Sequence, residues 1–178
     1  MSGWFVFLAL LAAINPPRLR PHLDARTRPA HALAAVAIVL VVGALLVVFA
    51  DGILDGLEIT PETWHIGAGA VGALVGARVV VAPALRGIEI PDGWAVAVAP
   101  FAFPLLITPQ LVVLMILLGA TGSSPAAIGW LATVLAVTVG VSVVRYQRPG
   151  VWLAAAGSLG ALLVILSVAL VVAGIRDV

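Results

Sequence analysis

The sequence predicts an all-α integral membrane protein, with six transmembrane helices in an inverted 3+3 repeat whose first and fourth helices are broken. Three observations predict it. Of the 178 residues, 63% are hydrophobic and only 10% are charged, and the mean hydropathy is +1.23. A soluble domain is roughly 45–50% apolar and about 25% charged, and a water-soluble globule of this size has no interior large enough for such an excess. The apolar residues also gather into six runs, each near the roughly 20 residues an α-helix needs to cross the hydrocarbon. Finally, the first and fourth runs are interrupted at corresponding places by proline beside polar side chains.

The runs cover about 4–22, 31–50, 63–84, 94–120, 126–145 and 151–175. They are apolar all round, as helices in lipid or in a bundle core are. Together they fill the chain, which reads as one transmembrane domain, 1–178. The intervening charges set direction. Arg18, Arg20, Arg26 and Arg28 face a single Asp24 in the first loop, whereas Asp51, Asp55, Glu58 and Glu62 stand alone in the second. Arg86 lies in the third loop with Glu89 and Asp92, the fourth is uncharged, and the fifth carries Arg145 and Arg148. The positive-inside rule then makes loops one, three and five cytoplasmic and turns both termini outward. The absence of Lys beside abundant Ala, Val and Leu fits a GC-rich coding sequence, and the expected location is a bacterial plasma (inner) membrane. The opening run is expected to be retained: 5–13 has the length of a signal-peptide core, but Met1-Ser2-Gly3 lacks the basic residue such a signal needs.

The interruptions are Ala13-Ile14-Asn15-Pro16-Pro17 and Leu106-Ile107-Thr108-Pro109-Gln110. Each proline removes an amide donor and collides with the carbonyl four residues back, so the helix bends or unwinds. Asn15 comes about 11 residues after Trp4, about 16 Å at 1.5 Å per residue, and Thr108 about 14 residues after Trp94, so both fall near mid-bilayer. Residues 8–17 align on 101–110 with an offset of 93, and Val71-Gly72-Ala73-Leu74-Val75 aligns on Leu159-Gly160-Ala161-Leu162-Leu163 with an offset of 88. With three spans per half, the halves, 1–85 and 94–178, enter the bilayer from opposite sides. Irregular backbone at that depth is tolerated only inside protein or along a wet cavity. Two breaks meeting at a pseudo-two-fold axis would gather free amides, carbonyls and polar side chains. The candidate binding residues are Asn15, Thr108 and Gln110, with Pro16 and Pro109 exposing backbone to a small polar or zwitterionic solute. The competing reading of each break is a structural kink.

The string Ala13-Ile14-Asn15-Pro16-Pro17 resembles the opening motif of the MarC family, within the LysE-like group of small exporters. Pro100-Phe101-Ala102-Phe103-Pro104-Leu105-Leu106-Ile107-Thr108-Pro109-Gln110 is similar to the proline-rich start of that family's fourth helix. Trp64-His65-Ile66-Gly67-Ala68-Gly69-Ala70 and the Gly-Ala-Leu stretches of the third and sixth spans resemble its glycine-containing helices. The resemblance implies six helices and transport of small neutral amino acids or related metabolites.

Other residues carry two readings each. Arg78 lies in the third span, where it either snorkels to the interface or lines a cytoplasmic vestibule with Arg18 and draws in a carboxylate. Arg18 and Arg20 are otherwise orientation determinants. His65 is an interfacial neighbour of Trp64 or a proton-coupling group. Gly72-x3-Gly76 forms a small-residue stripe for close helix approach, either to a helix of the same bundle or to a second copy in a homodimer. Trp4, Trp64, Trp94, Trp130 and Trp152 stand near span ends, as an aromatic belt does.

Several classes are excluded. A net charge of +1 gives no footprint for nucleic acid. There is no Cys for a thiolate site and no Lys for a phosphate loop. No Asp or Glu falls within a span, so no carboxylate metal cage or proton relay is expected, and neither cofactor nor enzyme chemistry is. The expected partners are the lipid bilayer and a small polar solute. The expected activity is secondary transport or export; a passive channel of the same fold and a non-transporting membrane subunit are the alternatives.

Overall fold

Among the described residues, helices open on Pro16, Pro61 and Pro109, each directly after a residue that is not helical. The first helical residue needs no intrahelical amide partner, and the ring presets a helical φ, so here proline sets where helices begin. The computed structural model describes residues 2–19, 29–82, 94–95, 97–122, 124–143 and 149–177. Most of the described residues are helical, and no strand occurs among them. In order it comprises α1 (Gly3–Ile14), α2 (Pro16–Leu19), α3 (Pro29–Val48), α4 (Ala50–Gly56), α5 (Pro61–Val81), an irregular segment Ala97–Leu106, α6 (Pro109–Thr121), α7 (Ser124–Val143) and α8 (Pro149–Asp177). The basic residues of 20–28, 83–93 and 144–148, on which the expected orientation rests, lie outside the described residues.

Among the described residues, four helices are long and apolar enough to cross a bilayer alone, over Ala30–Val48, Pro61–Val81, Ser124–Val141 and Gly150–Arg176. Ala97–Leu106 and Pro109–Thr121, bent by 70° at their junction, make a fifth crossing when taken as one broken span. Only 28% of each long apolar window is buried within the chain. Leu45, Leu74, Val81, Ile165 and Val168 instead point outward. Apolar surface of that extent needs lipid as its solvent, and the protein is a membrane protein.

The core is built around α6 and α1. Leu10, Met115, Leu117, Leu131, Val134 and Leu135 have no exposed surface, and Val39 and Val47 of α3 close the cluster. The tightest pair is α5 with α8, which run antiparallel. A Cβ placed on Gly76 would lie 2.7 Å from the Gly160 carbonyl oxygen, and one on Gly160 would lie 3.1 Å from the Gly76 carbonyl oxygen. Gly72 similarly faces Ser167 and Leu163. The Gly72/Gly76 stripe is therefore packed by α8 of the same chain.

Several sequence boundaries shift. Asp51 and Asp55, expected in a loop, sit exposed on α4, which continues from α3 after a break at Phe49. The first half of the fourth run is no regular helix: Ala99 and Phe103 have extended backbone, and the Phe103–Pro104 peptide is cis. Trp64, half-buried on the first turn of α5, donates its Nε1–H to the Val113 carbonyl at 3.0 Å.

Candidate functional site

The site begins with the amides that Pro16 and Pro17 lack. In a continuous helix those amides would bond the carbonyls of Ala12 and Ala13. Without them α1 ends, and Asn15 caps it in the left-handed conformation (φ 51°, ψ 67°), its own N–H donating to the Leu11 carbonyl. Asn is among the few side chains enriched there. The chain restarts at once with α2, where the Arg18 N–H donates to the Asn15 carbonyl at 3.0 Å.

The second break supplies what the first lacks. Thr108 precedes α6 in extended conformation, and its hydroxyl does not cap the helix. It donates instead to the Ala13 carbonyl oxygen at 3.5 Å, and Gln110 Nε2 donates to the same oxygen at 2.8 Å. The C-terminal end of α1, negative by its aligned carbonyls, thus abuts the N-terminal end of α6, positive by its free amides. Asn15 Nδ2 turns the other way and donates to the Ala156 carbonyl of α8 at 3.0 Å.

These bonds orient both amides. With each nitrogen committed to a carbonyl, the oxygens Asn15 Oδ1 and Gln110 Oε1 are left as acceptors, and both are buried without a partner. Asn15 is 3% exposed and Gln110 5%. Leaving such a group unsatisfied costs about 1–3 kcal/mol. Both side chains line a cavity of about 30 Å³, together with Arg18, Thr108, Pro104 and Val79. Its third unpartnered group is a donor, Arg18 Nε. The arrangement thus offers two acceptors and a cationic donor beside the Thr108 hydroxyl, complementary to a group that both gives hydrogens and carries negative charge. The volume holds about two water molecules.

Asn15, Thr108, Gln110 and Arg18, singled out from sequence, are thus brought together. Pro16 and Pro109 do not line the cavity; they start α2 and α6 and set the breaks. Arg78 lies exposed on α5, outside the lining but within electrostatic reach of Arg18. His65 Nδ1 is 2.9 Å from the Pro61 carbonyl, an interaction within its own helix turn. Sequence reasoning missed the carbonyls of Ala13 and Ala156, which have no letter of their own. It also missed His31, buried edge-on against Trp94 at 4.9 Å with Nδ1 unpartnered. Among the described residues no three His, Asp or Glu side chains converge as a metal site would require. No family model matches this chain, and neither a curated protein nor a solved structure does.

Proposed function

We propose that the chain is a secondary transporter or exporter of a small polar solute, with small neutral amino acids the leading class, and that the solute binds between the two broken helices. The observation that carries this reading is the pair of unpartnered oxygens, Asn15 Oδ1 and Gln110 Oε1, in a cavity shared with Arg18. The amide nitrogens serve the breaks by bonding the Ala156 and Ala13 carbonyls, but the two oxygens do nothing for the breaks. A solute presenting an ammonium and a carboxylate would satisfy them together with Arg18.

The six-span inverted repeat belongs to this proposal. Offset 93 lays Asn15 on Thr108, the two residues that precede the restarted helices. Offset 88 lays Gly72 on Gly160, and α5 and α8, the third spans of the two halves, pack antiparallel, as inverted halves would. In this topology α1 with α2 forms the first span, both termini lie outside a bacterial inner membrane, and the halves rock about the site to alternate access. The resemblance of the 13–17 and 100–110 motifs to the MarC family points the same way.

The test is radiolabelled L-alanine and L-serine flux into proteoliposomes. Asn15→Ala and Gln110→Ala are expected to lower saturable flux at least tenfold while the protein still elutes as a folded species. Unchanged flux in folded variants would remove the site, and saturable counterflow separates carrier from channel.

A further inference from the structure

A second cavity, of about 250 Å³, lies between the start of α1, the end of α6 and the start of α7. Small residues make the space: Gly3, Gly122, Ala126 and Ala127 line it, with Trp130 as one wall. Trp130 is held against α1, where a Cβ on Gly3 would come within 2.7 Å of its ring, and packs on Phe7 at 5.9 Å. The rim is made of helix ends. Here α1 begins, with Ser2 Oγ accepting from the Phe5 N–H at 3.4 Å, and α6 ends, with the Thr121 hydroxyl donating to the Leu117 carbonyl at 2.7 Å. Helix ends are tolerated at a water-facing level and not against lipid.

This cleft and the Asn15/Gln110 cavity share two helices and lie on the same face of each. On α1, Gly3 and Val6 line the outer space and Ala13 the inner one. On α6, Leu118 and Thr121 line the outer and Gln110 the inner. The steps from Val6 to Ala13 and from Gln110 to Leu118 are about 10 Å and about 12 Å along the helix axes. Helical spacing puts Leu10 between the two on the shared face of α1, and Leu114 and Leu117 on that of α6. All three are buried in the core, with Leu10 and Leu117 fully so.

We infer that the cleft is the hydrated mouth through which solute reaches the Asn15/Gln110 cavity from the side of the N-terminus, and that Leu10, Leu114 and Leu117 form the barrier between them. The inference rests on the transport reading and adds the route and its closure. A barrier about two helical turns thick is thin enough to open by a small separation of α1 from α6.

The absence of cysteine makes the test direct, since any introduced thiol is the only one. Ala126→Cys and Thr108→Cys are each treated, in intact cells, with a membrane-impermeant methanethiosulfonate on the side of the N-terminus. Ala126→Cys is expected to react at least tenfold faster than Thr108→Cys, and its modification to cut L-alanine flux at least tenfold. Adding Leu114→Ala to Thr108→Cys is expected to raise the Thr108→Cys rate at least fivefold; Leu114→Val serves if that double variant misfolds. Ala126→Trp, at an exposed position, fills the cleft and is expected to block flux while alanine still stabilises the protein thermally. An unreactive Ala126→Cys, a modified Ala126→Cys with undiminished flux, or a Thr108→Cys rate indifferent to shortening Leu114 would each overturn the route. A parent chain with no saturable flux would defeat the transport reading instead, and the labelling rates would still decide whether the cleft is wet and the barrier closed.

Discussion

Gln110 Nε2 reaches the carbonyl oxygen of Ala13 at 2.8 Å across 97 residues of sequence. The bond exists because Pro17 has no amide with which to claim that oxygen, and because the break before α6 puts Gln110 on the first turn facing it. Gln110→Ala would strand the buried Ala13 carbonyl, with only the long Thr108 contact left. The expected loss is about 1–3 kcal/mol, read as a fall of several degrees in thermal melting in detergent. An unchanged melting temperature would mean that water replaces the side chain at no penalty.

Asn15 has two separable roles. Its backbone holds a left-handed conformation that costs most side chains about 1–2 kcal/mol, and its side chain both bonds Ala156 and offers Oδ1 to the cavity. Asn15→Gly relieves the backbone and removes the side chain, whereas Asn15→Ala strains one and removes the other. The glycine variant is therefore expected to melt several degrees above the alanine variant, with flux equally low in both. Equal melting temperatures would show that α1 does not end where φ is positive.

The contrast between these residues and their partners marks how far the sequence carries. The apolar run over 63–84 lies on α5 to within three residues, and the proline-flanked strings at 13–17 and 106–110 mark both breaks. Periodicity and proline chemistry are local, so they survive folding. Asn15 and Gln110 stand out because a polar amide in an apolar run must be satisfied somewhere. What satisfies it is a backbone carbonyl on another helix, and every residue has a carbonyl, so Ala13 and Ala156 carry no signal. The Gly72/Gly76 stripe likewise announces a close neighbour without saying which, and only the antiparallel course of α8 decides. The extended backbone at Ala99 and Phe103 is hidden by the apolar composition of 97–106, which suits a helix equally well.

Gly76 tests the α5–α8 contact. A methyl group there would meet the Gly160 carbonyl and Val164 at under 3 Å, against backbone that cannot swing aside. Gly67, on the same helix, is exposed, and a methyl group added to it would meet nothing within 4 Å. Gly76→Ala is expected to be destabilising, by about 1–3 kcal/mol, as overpacking is. Gly67→Ala should gain about 0.5–1 kcal/mol from helix propensity. The opposite signs in one melting experiment separate packing from propensity. A neutral Gly76→Ala would mean that the two helices slide apart freely.

Arg18 decides what the cavity recognises. It stands one turn beyond the first break with Nε buried and unpartnered, so its guanidinium either reads a solute carboxylate or serves only to orient the first span. The two roles respond differently to substitution. Arg18→Gln keeps a long polar side chain and removes the charge. Under carboxylate recognition it should raise the KM for alanine at least tenfold while leaving the maximal rate within about threefold, because ground-state binding is what is lost. Arg18→Lys should recover part of the affinity but not all of it, since an ammonium lacks the planar fork that pairs with a carboxylate at two points. If Arg18 only orients the chain, both variants keep the parental KM, and Arg18→Gln instead yields a fraction of inverted molecules, visible to a terminal reporter accessible from one side. An unaltered KM with unaltered topology would assign the buried guanidinium to neither role.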